Sequence, residues 1–196
     1  MSFRPEYTAA LRVLARAFEE VQQRGFQCPV LVGGAAVEFW TGGSVVSGDF
    51  DILTGADEYL LRALEADGFR RPTGPGVLTR GLVHDDLEIG IELVSGAYFG
   101  GNADRTRIVI VEVGGGKVAF PPVEDIIADR IGQYASSPRG VPEMRQQAVI
   151  LYALADGVDE AYLSRRIQQE TIDSLSLDDL KSWHEEYLAR RPGHED

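Results

Sequence analysis

The chain has 196 residues, a formal net charge of −12, 44% hydrophobic and 26% charged residues, which suits one domain, or one with a small appendage, and buries a full core. The acidic balance excludes a general nucleic-acid binder, because phosphate neutralisation dominates such affinity and needs a basic surface; a local arginine cluster would still serve an NTP or a tRNA end. No apolar run approaches the roughly 20 residues that span a bilayer, and the opening MSFRPEY has no apolar signal core, so the expectation is a cytoplasmic protein without membrane partners.

Residues 5–24 read as an amphipathic helix, with Leu11, Leu14, Ala15, Phe18 and Val21 at helical spacing and Gly25 closing it. Cys28, the single cysteine, cannot form an internal disulfide and is expected in the core among apolar neighbours. The next stretch, 29–54, organises the rest. Leu31 and Val32 form a short strand that runs into Gly33-Gly34, and a helix is expected from about Ala35. Glycines at such a turn serve either the turn itself or the close approach of a phosphate to helix-start N–H groups.

The stretch then reaches Asp49-Phe50-Asp51-Ile52. Strand side chains alternate, so Asp49 and Asp51 point to one side and Phe50 and Ile52 to the other, towards a core. Two like charges held side by side repel, and a divalent cation bound by both relieves them, which predicts Mg²⁺. Three other ligand motifs fail here: no lysine follows Gly34 as a Walker loop needs, Gly33-Gly34-Ala35-Ala36 is not a dinucleotide fingerprint, and Leu53 stands where a calcium loop needs an oxygen.

Further along, 57–67 reads as a helix ended by Gly68, 70–76 as a loop and 77–83 as a strand. In 87–94 the alternation is clean, with Leu87, Ile89, Ile91 and Leu93 on one face and Glu88, Gly90 and Glu92 on the other. Residues 95–102 form a glycine-rich loop whose Tyr98 and Phe99 have base stacking as one open role. A hairpin follows over 107–113 and 117–120, joined by three glycines. From Pro122 on the chain reads as helical, over 122–134, 142–156, 159–169 and 177–190, the last opened by Ser176 with Asp178 and Asp179 in its first turn. His84, His184 and His194 lack the spacing of a metal pair.

Taken jointly, the apolar-Gly-Gly turn, the short helix and Asp49-Phe50-Asp51 about fifteen residues on resemble the signature of the nucleotidyltransferase-fold superfamily, the group related to DNA polymerase β. The run Gly33-Gly34-Ala35-Ala36-Val37 and the small size most resemble stand-alone bacterial members, including toxins of toxin–antitoxin and abortive-infection systems. The resemblance implies an α+β fold, a mixed sheet flanked by helices over residues 1–121, with a helical region 122–196 packed on it. It also implies two Mg²⁺ ions and an NTP, ATP among the candidates, whose NMP passes to a hydroxyl on a protein, tRNA or small molecule.

By the same resemblance Asp49, Asp51 and a third carboxylate are catalytic and metal-binding. Glu92 is the closest match for the third and Glu88 the reserve. Gly33, Gly34, Ser47 and Arg130 would contact the nucleotide, Ser47 standing for a threonine and Arg130 for a lysine; Arg130 is equally readable as a surface arginine paired nearby. Val45 occupies a place where relatives often carry arginine, and Arg145-Gln146 stands where Lys-Asp is common. Two further readings stay open: a non-catalytic partner of a cognate antitoxin, and an enzyme modifying an aminoglycoside-like polyamine.

Overall fold

The computed structural model describes residues 3–72, 81–94, 96–137 and 140–190. Helix α1 (Pro5–Gln23) starts with proline in its first turn, where no helical N–H partner is lost. Strand β1 (Val30–Val32) passes directly into α2 (Gly33–Trp40), so this helix begins at the glycines and not at Ala35. Strand β2 (Asp49–Leu53) and helix α3 (Asp57–Ala66) follow, then β3 (Gly81–His84) and β4 (Ile89–Val94). The hairpin is β5 (Val109–Val113) and β6 (Gly116–Phe120).

Three predicted elements shift. The strand expected over 77–83 runs Gly81–His84, and 77–80 lie outside the described residues. Leu87 and Glu88 leave the strand for a turn, in which Glu88 takes a left-handed φ of 51°. Arg107 belongs to a short 3₁₀ turn, Arg105–Arg107, in which the Asp104 side chain accepts from the Thr106 N–H.

The six strands form one mixed sheet in the order β3-β4-β2-β1-β6-β5. Strand β2 lies antiparallel to β1 and parallel to β4, and β1 is parallel to β6. The fold is therefore α+β with a mixed sheet. Phe50, Ile52, Ile91 and Leu93 are buried, as the period of two requires. Helix α1 covers this face: Tyr7 stacks on Phe50 at 5.5 Å and its hydroxyl donates to the Ala35 carbonyl at 2.7 Å. Each such side chain contributes about 1.5–3 kcal/mol by leaving water, which pins the strand register and sends the odd residues of β2 to the other face.

The chain divides into two compact units, Met1–Tyr98 with Asp104–Pro121, and Phe99–Ala103 with Pro122–Asp196. The second holds α4 (Val123–Ser136), α5 (Pro142–Leu154), α6 (Glu160–Thr171) and α7 (Leu177–Ala189). Helix α4 packs on α5 and α6 through a core that includes Ile126, Ile127, Leu151, Leu163 and Ile167. Inside that core Arg166 donates from Nε to Asp125 at 2.7 Å, and Tyr162 donates to the same oxygen at 2.9 Å. Both ions are fully buried; burial works against the Arg166 charge, and the Asp125 and Glu170 hydrogen bonds outweigh it and raise its pKa.

Candidate active site

Strands β2 and β4 run parallel in a register that sets Asp49 beside Gly90 and Asp51 beside Glu92. Paired residues on neighbouring strands share a face at a spacing of about 4.8 Å. Asp49, Asp51 and Glu92 therefore stand on one face of the sheet, opposite the buried Phe50, Ile52 and Ile91. Asp49 is exposed, and Asp51 and Glu92 are half-buried. Glu88 is exposed on the turn before β4 and is not in this row.

Glycines give the carboxylates their room. At Gly33, where φ is +63°, an added Cβ would overlap the Asp51 carboxylate. At Gly90 it would lie 2.7 Å from Asp49 Oδ1. The two carboxylates thus lean apart, Asp51 over the start of α2 and Asp49 over β4. That explains why, among the described residues, no three His, Cys, Asp or Glu side chains converge into an ion-holding group as they stand. The donor set is all carboxylate oxygen on a partly open face, which suits a hard divalent cation.

Ser47 ties the loop before β2 to the glycine turn. Its hydroxyl sits over Gly34, where a Cβ would overlap it, and donates to the Asp49 carbonyl at 3.0 Å. Its N–H donates to Glu38 Oε2 at 2.9 Å. Glu38 is fully buried on α2 and paired with Arg4, whose Nε and Nη2 donate at 2.9 and 3.1 Å. Arg4 Nη2 also donates to the Ser47 carbonyl, and the Glu38 hydrogen bond raises the Arg4 pKa.

This clasp escaped sequence reasoning. Arg4 lies 43 residues from Ser47, so the guanidinium comes to the loop before β2 from a part of the chain that no local pattern links to it. The one readable signal was Glu38, a charge on the apolar side of a short helix among Ala35, Ala36 and Val37.

Gly33, Gly34, Ser47, Asp49, Asp51 and Glu92 are thus gathered in the first unit, and Arg130 belongs to the second. Arg130 is not a surface residue: it is 6% exposed, with Nε and Nη2 both donating to Asp129 Oδ2 at 3.1 and 2.7 Å. Tyr98, considered as a base platform, is buried at 4% exposure with Arg105 lying 5.3 Å over its ring. Cys28 is half-buried and not a core residue; partial burial and the charge of Glu19 push its thiol up to about 11.

No protein-family model matches the chain, and no curated protein sequence does. Solved structures do resemble it. An antigenic nucleotidyltransferase-like protein from Paracoccidioides brasiliensis superposes with a TM-score of 0.58 at 16% identity, over 94% of each chain. JHP933 from Helicobacter pylori gives 0.52 at 10% identity, over 96% of each. The antibiotic-resistance factor ANT(2'')-Ia gives 0.45 at 14% identity, over 93% of each. At such identities the likeness is one of fold.

Proposed function

We propose that this chain, which has the nucleotidyltransferase fold, is an Mg²⁺-dependent nucleotidyltransferase that moves a nucleoside monophosphate from an NTP to a hydroxyl acceptor. The observation that carries the reading is the single row of carboxylates, Asp49, Asp51 and Glu92, beside the glycine-started helix α2. Asp49 and Asp51 would hold the divalent ions, with Glu92 on the catalytic one; bound Mg²⁺ neutralises triphosphate charge and lowers the pKa of an acceptor hydroxyl.

The remaining work falls to the chain's own groups. Backbone N–H groups at Gly33-Gly34 seat phosphate oxygens, aided by the positive end of α2, and the Ser47 hydroxyl joins them by turning its proton away from the Asp49 carbonyl. Glu92 takes the proton of the acceptor hydroxyl. The acceptor oxygen then bonds to the α-phosphorus as the bond to the bridging oxygen breaks, and pyrophosphate leaves. Positioning and charge neutralisation supply most of the rate. Arg130 lies in the other unit, and this reading rests on the first unit alone.

The acceptor class is a hydroxyl on a protein, a tRNA end or a small molecule; an aminoglycoside-like polyamine would suit the acidic surface. A second reading, a catalytically silent partner in a toxin–antitoxin-like pair, is favoured by the way Asp49 and Asp51 lean apart over Gly90 and Gly33. Calorimetric titration with each NTP and Mg²⁺ separates the two. The enzyme reading expects binding that disappears in Asp49→Asn/Asp51→Asn; a folded wild type that binds no NTP overturns it and favours the partner.

A further inference from the structure

The helical unit contains a pocket of about 440 Å³, within the size range of small-molecule sites. Three helices build it: Tyr134 from α4, Arg145 and Gln146 from α5, and Trp183 and Tyr187 from α7, with Arg190 just past its end. Trp183 and Tyr187 are four residues apart, so they share one helix face and make one aromatic wall. Tyr134 meets Trp183 edge-on, with ring centroids 5.4 Å apart.

Charge in the pocket runs against the rest of the chain. Arg145 lies 4.7 Å over the Trp183 ring and donates to Glu186 at 2.8 Å. Arg190 reaches the same carboxylate at 3.8 Å. Two guanidinium groups share one carboxylate, which leaves the lining one positive charge in a chain of formal charge −12. Aromatic walls favour a flat ring, and guanidinium forks favour an anion, phosphate above all. The Gln146 amide and the tyrosine hydroxyls add donors and acceptors, which a ring with a polar edge can use and a hydrocarbon ring cannot.

We propose that this pocket binds a nucleoside monophosphate, free or as the unpaired end of a strand, its base among Tyr134, Trp183 and Tyr187 and its phosphate on Arg145 and Arg190. The site needs neither a metal nor the carboxylates of the first unit, so it stands or falls separately from the transferase reading.

The test is calorimetric titration of the full chain, in EDTA, with the four nucleoside 5′-monophosphates and with a short single-stranded oligonucleotide. Adenosine and ribose 5-phosphate serve as half-ligands. Arg190, 81% exposed, can be changed to Gln without disturbing packing, and Trp183→Ala removes one wall. The expected result is submillimolar binding of a monophosphate or of the strand end, weakened about tenfold or more, equivalent to about 1.4 kcal/mol, in Arg190→Gln and in Trp183→Ala. Binding should be unchanged in Asp49→Asn/Asp51→Asn and weaker for either half-ligand. Free nucleotide alone would name the small molecule as the source, and the oligonucleotide alone the strand. Binding of neither by the folded wild type, or binding that survives both pocket variants or vanishes with the two aspartates, overturns the proposal.

Discussion

Gly33 lies directly beneath the Asp51 carboxylate, in left-handed backbone, where β1 turns into α2. One glycine therefore meets two demands, a φ of +63° and space for a carboxylate from the neighbouring strand. Gly33→Ala should cost about 1–3 kcal/mol, since both the backbone and the contact are strained, and should abolish Mg²⁺-dependent NTP binding. Thermal melting and calorimetry check the two parts; an alanine variant with wild-type melting and affinity would show that Asp51 sits elsewhere.

Glu92 and Glu88 offer a paired comparison. Glu92→Gln keeps the shape of β4 and should abolish nucleotidyl transfer with little change in melting temperature. Glu88 is exposed at φ 51°, so Glu88→Gly should leave activity intact and raise stability by up to about 1 kcal/mol through relief of the left-handed backbone. Reversed outcomes would move the third carboxylate to the turn.

The Arg4–Glu38 pair makes the fold of the loop depend on the chain's first turn. Arg4→Met leaves a fully buried carboxylate without its cation and should cost about 3–5 kcal/mol in denaturant unfolding. Removing both charges, in Arg4→Met/Glu38→Leu, should cost less than removing Arg4 alone, because no ion is stranded. A double variant as unstable as the sum of the single ones would mean that the two residues do not interact.

Helix α7 opens with a reciprocal cap, Ser176 and Asp179 each bonding the other's backbone N–H. The Ser176 hydroxyl, followed by its N–H, holds the Asp179 carboxyl below its ordinary value. A folded-state pKa that is depressed gives stability that is full above the unfolded value, about 3.9 for aspartate, and is lost as pH falls through the folded one. Ser176→Ala should thus cost about 1 kcal/mol at pH 7, with a penalty that shrinks as the pH drops below roughly 4. A penalty constant from pH 7 to pH 3 would contradict the cap's ionic part.

Local periodicity explains what was legible. Residues 5–24, 57–67 and 177–190 read as helices because their apolar spacing is set within a few turns, and Asp49-Phe50-Asp51-Ile52 read as a half-buried strand for the same reason. Boundaries slipped where a residue's fate depends on a distant neighbour. Glu88 continues the alternation of β4 and yet lies in the turn, since pairing with β2 begins only at Gly90. Arg130 was readable either as a nucleotide contact or as a surface arginine, because its spacing carries no sign of Asp129 folding back onto it or of Met144 beside it.

The sequence by itself determined that two aspartates share a face, that glycines precede a helix start, and that an α+β sheet region gives way to helices. These follow from bond geometry and from burial along a single strand or helix, which act over a few residues. Only the tertiary structure decided that Glu92 stands beside Asp51, that Gly33 and Gly90 make room for the two aspartates, and that Arg4 clasps Glu38 and Ser47. Those contacts depend on the order and register of strands far apart in the chain, fixed by packing Phe50, Ile52 and Ile91 into one core, and no local pattern encodes that choice.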